Sequence, residues 1–281
     1  MSMSRYPDLS VFYHPLTAKP FLRNAAHTEL PPCRALRPYI RCFWGTTEPV
    51  RNDSDQATLS LVIPDTCMDI IFTLDHTRQR LRGNFCAMDE SAYSVHADTD
   101  DTVTSTFAIR FYAWTAALFA EHPLAGSKNR VFDATDFFPA LCKALTPMLL
   151  SVPSLEDRAA IASRYLLPHL DWHRMNSTLM NAVDSIIMTR GTLRIDDLAA
   201  GNAVSRKRLE RLFAEQIGLS PKAFSSLVRY QMLWQELCLG RPYHILDLVE
   251  KYGYFDQAHL LNDFKKHHSL TPAQAVRFAR G

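Results

Sequence analysis

Two sets of side chains in this chain have the types and spacing for recognition chemistry. In the first, Arg206, Lys207, Glu210 and Arg211 follow Ser205 within "SRKRLERLF". Arginine can bond guanine through two N–H groups, and both arginine and lysine hold phosphates. A second stretch, "DQAHLLNDFKK", places Gln257, Ala258, Leu261, Asn262 and Lys265 on faces left free by Leu260 and Phe264. Asparagine can bond adenine at two points, and an apolar side chain can touch a thymine methyl. Lys207 and Arg211 are the expected groove contacts of the first stretch, with Arg208 on its flank.

The second set lies in the N-terminal half: Trp44, Asp65, Cys67, Asp69 and Arg110. Together they offer a ring, two carboxylates, a thiol and a guanidinium, enough to contact a small effector. Arg110 stands opposite Phe107, Ile109 and Phe111 on a strand. If its face lines an interior it could hold an anion; on a solvated face it is a surface arginine. Cys67 is either a reactive thiol or a small buried residue beside a turn. His14, His76 and His96 with Cys42, Cys67 and Cys86 are metal-ligand types, but their spacing matches no zinc signature. Neither a metal nor a cofactor is expected. A metal- or thiol-redox-responsive regulator using these Cys and His residues stands as the alternative.

Enzyme signatures are missing. The sequence has no G-x-S-x-G, P-loop or H-E-x-x-H, and "DTDD" lacks calcium-loop spacing. Nor is there a cysteine cluster of the kind a zinc-clamped repair protein would need.

What must position these residues follows from length and pattern. The 281 residues suit two domains, and 47% hydrophobic with 21% charged residues is ordinary for a globular chain. "MSMSRYPDLS" reads as no secretory signal, and no apolar run reaches the ~18 residues of a membrane span. A soluble, cytoplasmic protein is expected. The net charge of +2 divides unevenly: residues 1–174 carry 17 Lys/Arg against 19 Asp/Glu, and residues 175–281 carry 14 against 10. A basic C-terminal part permits a nucleic-acid partner.

Residues 1–113 read as β-rich. "TLSLVI" alternates, "MDIIFTLD" is a more continuous apolar strand, and "STFAIRFYAW" alternates again, with polar loops between them. This α+β pattern predicts a barrel-like N-terminal domain, then a helical linker at 114–175, then an all-α domain at 176–281. In the linker "WTAALFAEH", "DFFPALCKALTPMLL" and "SLEDRAAIASRYLLPHL" have helical apolar spacing, either packed within the monomer or pairing a homodimer. A further helix is predicted from Ser177 to Arg190, stopped by Gly191.

The all-α part contains a repeat. Ser205, Leu209, Phe213, Leu219, Ser220 and Pro221 each have a counterpart 51 residues later, in Asp256, Leu260, Phe264, Leu270, Thr271 and Pro272. Ile195 and Leu198 map onto Leu246 and Val249 at the same offset. Each copy reads as a short helix, a turn, a capped second helix and a Leu-Ser/Thr-Pro ending, which is a helix-turn-helix. The segment from Pro221 to Leu239 is a helix long enough to fix one copy against the other.

"LAAGNAVSRKRLERLFAEQIGLSPKAF" with "LVEKYGYFDQAHLLNDFKKHHSLTPAQ" resembles the DNA-binding domain of AraC/XylS-type transcription regulators over roughly residues 176–280. The resemblance implies a double-stranded promoter DNA partner, recognition helices in two successive major grooves, and contact with RNA polymerase. "LRPYIRCFWG", "VIPDTCMDIIF", "RGNF" and "FAIRFYAW" resemble an uncharacterised domain found on some such regulators. Thr66 stands where that domain has a glycine in its Pro-Asp-Gly-Cys turn. Sensor domains of this family are often cupin-like barrels, which extends the expectation to a cupin-like fold binding a small molecule.

Overall fold

The computed structural model describes residues 8–21, 27–51, 59–96, 102–240 and 243–280, with only the backbone of Leu59, His96 and Trp172. The Asp-rich loops at 52–58 and 97–101, and the His96 side chain, lie outside the described residues.

The N-terminal half is built on strands β1 (Thr28–Leu30), β2 (Ile40–Gly45), β3 (Val50–Arg51), β4 (Leu59–Val62), β5 (Cys67–Asp75), β6 (Arg80–Cys86), β7 (Tyr93–His96), β8 (Val103–Tyr112) and β9 (Val131–Asp133). Seven form one antiparallel sheet in the order β1-β2-β8-β5-β6-β9, with β3 also on β8, while β4 and β7 pair separately. The sheet is open, so the expected barrel does not form among the described residues. Its outer strands β1 and β9 are three residues each, too short to close it. Helices α1 (Pro139–Leu150) and α2 (Leu155–Leu166) lie against β6, β2 and β8 instead, giving the sheet the cover that closure would otherwise provide.

Phe107, Ile109 and Phe111 share a buried face as their alternation predicts, joined by Phe43, Ile70, Phe72 and Phe85. In β5 the apolar run conceals an alternation: Ile70, Phe72 and Leu74 are buried, while Asp69, Ile71 and Thr73 are half-buried. The stretch "WTAALFAEH" forms only one 3-10 turn, Ala116–Leu118. The sheet itself continues past residue 113, because β9 pairs with β6.

The C-terminal half contains α3 (Ser177–Met188), α4 (Ile195–Gly201), α5 (Arg206–Ile217), α6 (Pro221–Cys238), α7 (Ile245–Lys251), α8 (Gln257–His268) and α9 (Pro272–Arg280). Asn176 caps α3 by accepting from Leu179 N at 3.1 Å. Gly191 follows in the left-handed region at φ +70, where a Cβ would come 2.1 Å from the Ser225 carbonyl oxygen. No other residue fits there. Helix α6 has 18 residues, roughly 27 Å of rise.

The two halves share one continuous apolar core. Gln231 of α6 is fully buried, and its amide accepts from Leu16 N at 2.8 Å and donates to Leu16 O at 3.1 Å and Pro64 O at 2.9 Å. Trp234, one turn on, donates to Thr17 O at 3.1 Å. Buried amides and indoles need such partners. Here they bind the N-terminal half to the helix that carries both repeats.

Candidate nucleic-acid interface

Helices α4 and α5 form the first unit. Leu209, Phe213 and Ile217 lie at helical spacing and are fully buried, which fixes the opposite face of α5 outward. Ser205 accepts from Arg208 N at 3.2 Å as the N-cap, and Gly218 ends the helix at φ +78. Arg206, Lys207, Arg208, Glu210 and Arg211 are all exposed. They are not equivalent. Arg206 donates to Glu210 at 2.9 Å and to Asp196 at 3.3 Å, so two carboxylates already match its charge. Arg211 lies 3.8 Å from Glu215, an exposed pairing that holds it only weakly. Among the described residues Lys207 has no ion pair.

The second unit, α7 and α8, follows the same plan with one difference. Asp256 caps α8, accepting from His259 N at 2.7 Å, and Leu260 and Phe264 are fully buried. Gln257, Ala258, Asn262 and Lys265 are exposed, whereas Leu261 is half-buried against the core. The repeat, however, keeps two offsets. The left-handed turn residues are Ala203 and Gly253, and the buried pairs are Leu198–Ala199 and Leu248–Val249. These lie 50 apart, not 51, so Ile195 corresponds to Ile245 and Leu198 to Leu248. Leu246, expected to pack like Ile195, is 56% exposed. The additional residue is Phe255, just before the cap, and it is 90% exposed.

"KKHH" divides in the same way. Lys265 and Lys266 are exposed, but His267 and His268 are buried. His268 bonds Tyr230 Oη through Nδ1 at 2.8 Å and stacks on Phe264, with 5.1 Å between ring centroids. Burial pushes its pKa down to about 4. His267 meets the Glu90 carbonyl oxygen of the N-terminal half at 2.8 Å through Nδ1. Asp263 faces inward too: it is 3.2 Å from Arg229 and accepts from Tyr254 Oη at 2.9 Å.

Between the units runs an open groove of about 700 Å³. Arg206 of α5, Lys222 and Arg229 of α6, and His259 and Lys266 of α8 line it, with Arg194 at the start of α4 and Glu90 from the N-terminal half. Three of these cations, Arg194, Lys222 and Lys266, have no ion pair within 4.0 Å among the described residues. Glu90 is 2.8 Å from Lys128.

The second expected set also meets in space. Trp44 Nε1 donates to Asp69 Oδ1 at 2.8 Å, and Arg110 Nη1 donates to Asp69 Oδ2 at 3.1 Å. Arg110 Nη2 bonds Asp65, whose Oδ1 accepts from Cys67 N at 2.7 Å. Asp69 and Arg110 are direct cross-strand partners. The five residues therefore form one network on the sheet face opposite Phe107 and Ile109, with Asp65 and Cys67 buried, Trp44, Asp69 and Arg110 half-buried, and the guanidinium already held by two carboxylates.

Comparison with known proteins follows this division. Residues 28–133 match a domain of unknown function (DUF6597), and residues 198–277 match a helix-turn-helix domain (HTH_18). The HTH-type transcriptional regulator MtrA of Neisseria gonorrhoeae is 25% identical over 197 residues, 68% of this chain and 61% of that one. An AraC-type DNA-binding domain from Chromobacterium violaceum is 26% identical over 36% of this chain and 89% of its own, with a TM-score of 0.34. Residues 198–277 thus carry a helix-turn-helix domain, and the chain is similar to a transcriptional regulator. ToxT of Vibrio cholerae, solved with an unsaturated fatty acid, aligns with 84% of this chain and 95% of its own at 11% identity and a TM-score of 0.40.

Sequence reasoning missed the groove floor. Lys222, Arg229, Lys266 and Glu90 come from three separate elements, and no spacing rule joins them. Lys222 had one local signal: it sits in the first turn of α6, directly after the Ser220-Pro221 start.

Proposed function

We propose that the regulator binds promoter DNA sequence-specifically, with α5 and α8 in successive major grooves and α6 holding them apart. The observation carrying this reading is the groove that Arg206 shares with His259 and Lys266. Recognition helices bordering one groove can face one side of a duplex. In the first unit Ser205 serves the cap, Arg206 and Glu210 hold each other, and Lys207 and Arg211 contact bases or phosphates. In the second, Gln257, Ala258 and Asn262 meet base edges, Leu261 lends partial apolar contact, and Lys265 anchors a phosphate. Arg194, Lys222 and Lys266 suit the phosphates between the two half-sites.

The N-terminal half responds to a small molecule through Trp44, Asp65, Cys67, Asp69 and Arg110. Support comes from its route to α6: Asp65 follows Pro64, whose carbonyl oxygen accepts from Gln231 at 2.9 Å. A ligand that draws Asp65 off Arg110 acts one residue from that bond and shifts the population of DNA-competent chains. RNA polymerase contact, homodimers and a cytoplasmic location belong to this reading through the family. Thiol chemistry fits less well. Burial raises the Cys67 and Cys42 pKa values far above the thiol range and that of Cys86 to about 12, which leaves no ready thiolate among them.

Selection of random duplexes on the purified regulator tests the reading. Enrichment of a motif with two half-sites about one helical turn apart is expected. Uniform retention of all sequences overturns it.

A further inference from the structure

Phe255 is the residue by which the second unit exceeds the first, and it is 90% exposed. A side chain just before an N-cap commonly packs on the fourth residue of its helix. Here that residue is Leu260, which is fully buried, and Tyr254 takes the inward place instead at 6% exposure. The Phe255 backbone is nevertheless fixed. Its N–H donates to His259 Nδ1 at 3.3 Å, and Asp256 caps the helix at the next residue. His259 is held in turn by Tyr254, with 5.2 Å between ring centroids, edge to face. An aromatic ring thus projects into solvent from an ordered turn, at the end of α8 where exposed Gln257 and Ala258 begin.

We infer that Phe255 is a DNA-reading residue whose ring packs on a thymine methyl at the edge of the second half-site. The inference rests on α8 entering a major groove. The N-terminal residues of a recognition helix contact base edges there, and apolar contact is how a protein recognises the thymine methyl. The ring adds no charge, so it contributes sequence preference and leaves the salt dependence alone. The first unit has no equivalent, since Val204 is half-buried and Ser205 follows it directly.

The test uses the full chain and a duplex selected from a random pool, with thymines of the second half-site replaced one at a time by uracil. Loss of one methyl is expected to weaken wild-type binding about fivefold. Phe255→Ala should bind the thymine duplex as weakly as wild type binds the uracil one, and should not distinguish the two. Its slope of affinity against salt should match wild type, and Phe255→Leu should restore part of the preference. The uracil arm needs no variant, so a folding defect cannot hide the answer. If no uracil position matters, or Phe255→Ala binds like wild type, the inference falls while the DNA-binding reading stands. If Phe255→Ala binds DNA normally but fails in transcription with purified polymerase, the ring faces protein and the inference is again overturned. If wild type selects no sequence, the parent reading is the one that fails.

Discussion

Under α5, Val204, Leu212 and Ile217 pack into the apolar core; the matching places in the second unit hold Tyr254, Asp263 and His268. The backbone plan is shared, but the interiors use different physics. The first unit is held by apolar burial, which is non-directional and indifferent to pH. The second is held by a polar network in which Asp263 meets Arg229 and Tyr254, and His268 meets Tyr230. Such networks are directional, and a missing member leaves its partners desolvated and unpaired. The second unit also meets the N-terminal half through a side chain, His267 against the Glu90 carbonyl oxygen. The first unit's hydrogen bond to that half joins backbone to backbone, Leu124 N to Glu215 O at 2.9 Å. One repeat therefore has an apolar interior and the other an interior that depends on paired polar groups.

The largest effect should come from breaking the polar interior. Asp263→Ala strands a mostly buried Arg229 and the Tyr254 hydroxyl, costing on the order of 3 kcal/mol. Leu212→Ala, at the matched place, should cost less. Thermal unfolding compares them, and equal losses would erase the distinction.

Acid should separate the units next. His268 titrates near 4 when folded and near 6.5 when unfolded. Between those values the unfolded chain binds the extra proton, so stability falls as pH drops from about 6.5 towards 4, by roughly 2–3 kcal/mol at most. The pKa of His267 is lowered by burial as well, adding in the same direction. Hydrogen exchange at pH 5 should expose α8 amides ahead of α5 amides, and His268→Phe should reduce the gap. Equal protection across that range would contradict the assignment.

On DNA, Lys207→Ala should cost about 1–2 kcal/mol and lower the salt slope by about one. Asn262→Ala should cost less and leave the slope unchanged, in keeping with a first unit that supplies most of the affinity. Fluorescence anisotropy across a salt series measures both, and a greater loss from Asn262→Ala reverses the ranking. The smallest effect concerns Glu90, which brings a carboxylate to the inter-unit groove. Glu90→Gln should tighten binding by less than about 1 kcal/mol, the scale of one exposed charge; unchanged or weaker binding removes Glu90 from the groove's electrostatics.

Much of the DNA-binding part was legible because its signals are local. Caps at Ser205 and Asp256, the Leu and Phe four apart, and the Pro starts of α6 and α9 all act within one turn. The shift from 50 to 51 was hidden because Leu248 and Val249 are adjacent and both apolar, so either register satisfied the pattern. Histidine suits a surface or a core, and only Tyr230 and Trp234, far away in sequence, place His268 inside. In β5 the adjacent Ile70 and Ile71 disguised the alternation. The Trp44–Asp69–Arg110–Asp65 network was guessed as a group from residue types. Its bonds were not legible, since they depend on cross-strand register between residues about 40 apart. Closure of the sheet was misjudged because strand count says nothing of edge length.

The Gln231 amide also has a consequence for synthesis. Leu16 and Thr17 find their partners in Gln231 and Trp234, 215 and 217 residues later. At about 5–20 residues per second, Leu16 and Thr17 wait roughly 10–40 s on the ribosome before their partners exist. Both residues are made well before they can be placed, and the N-terminal half cannot be finished until α6 has been translated.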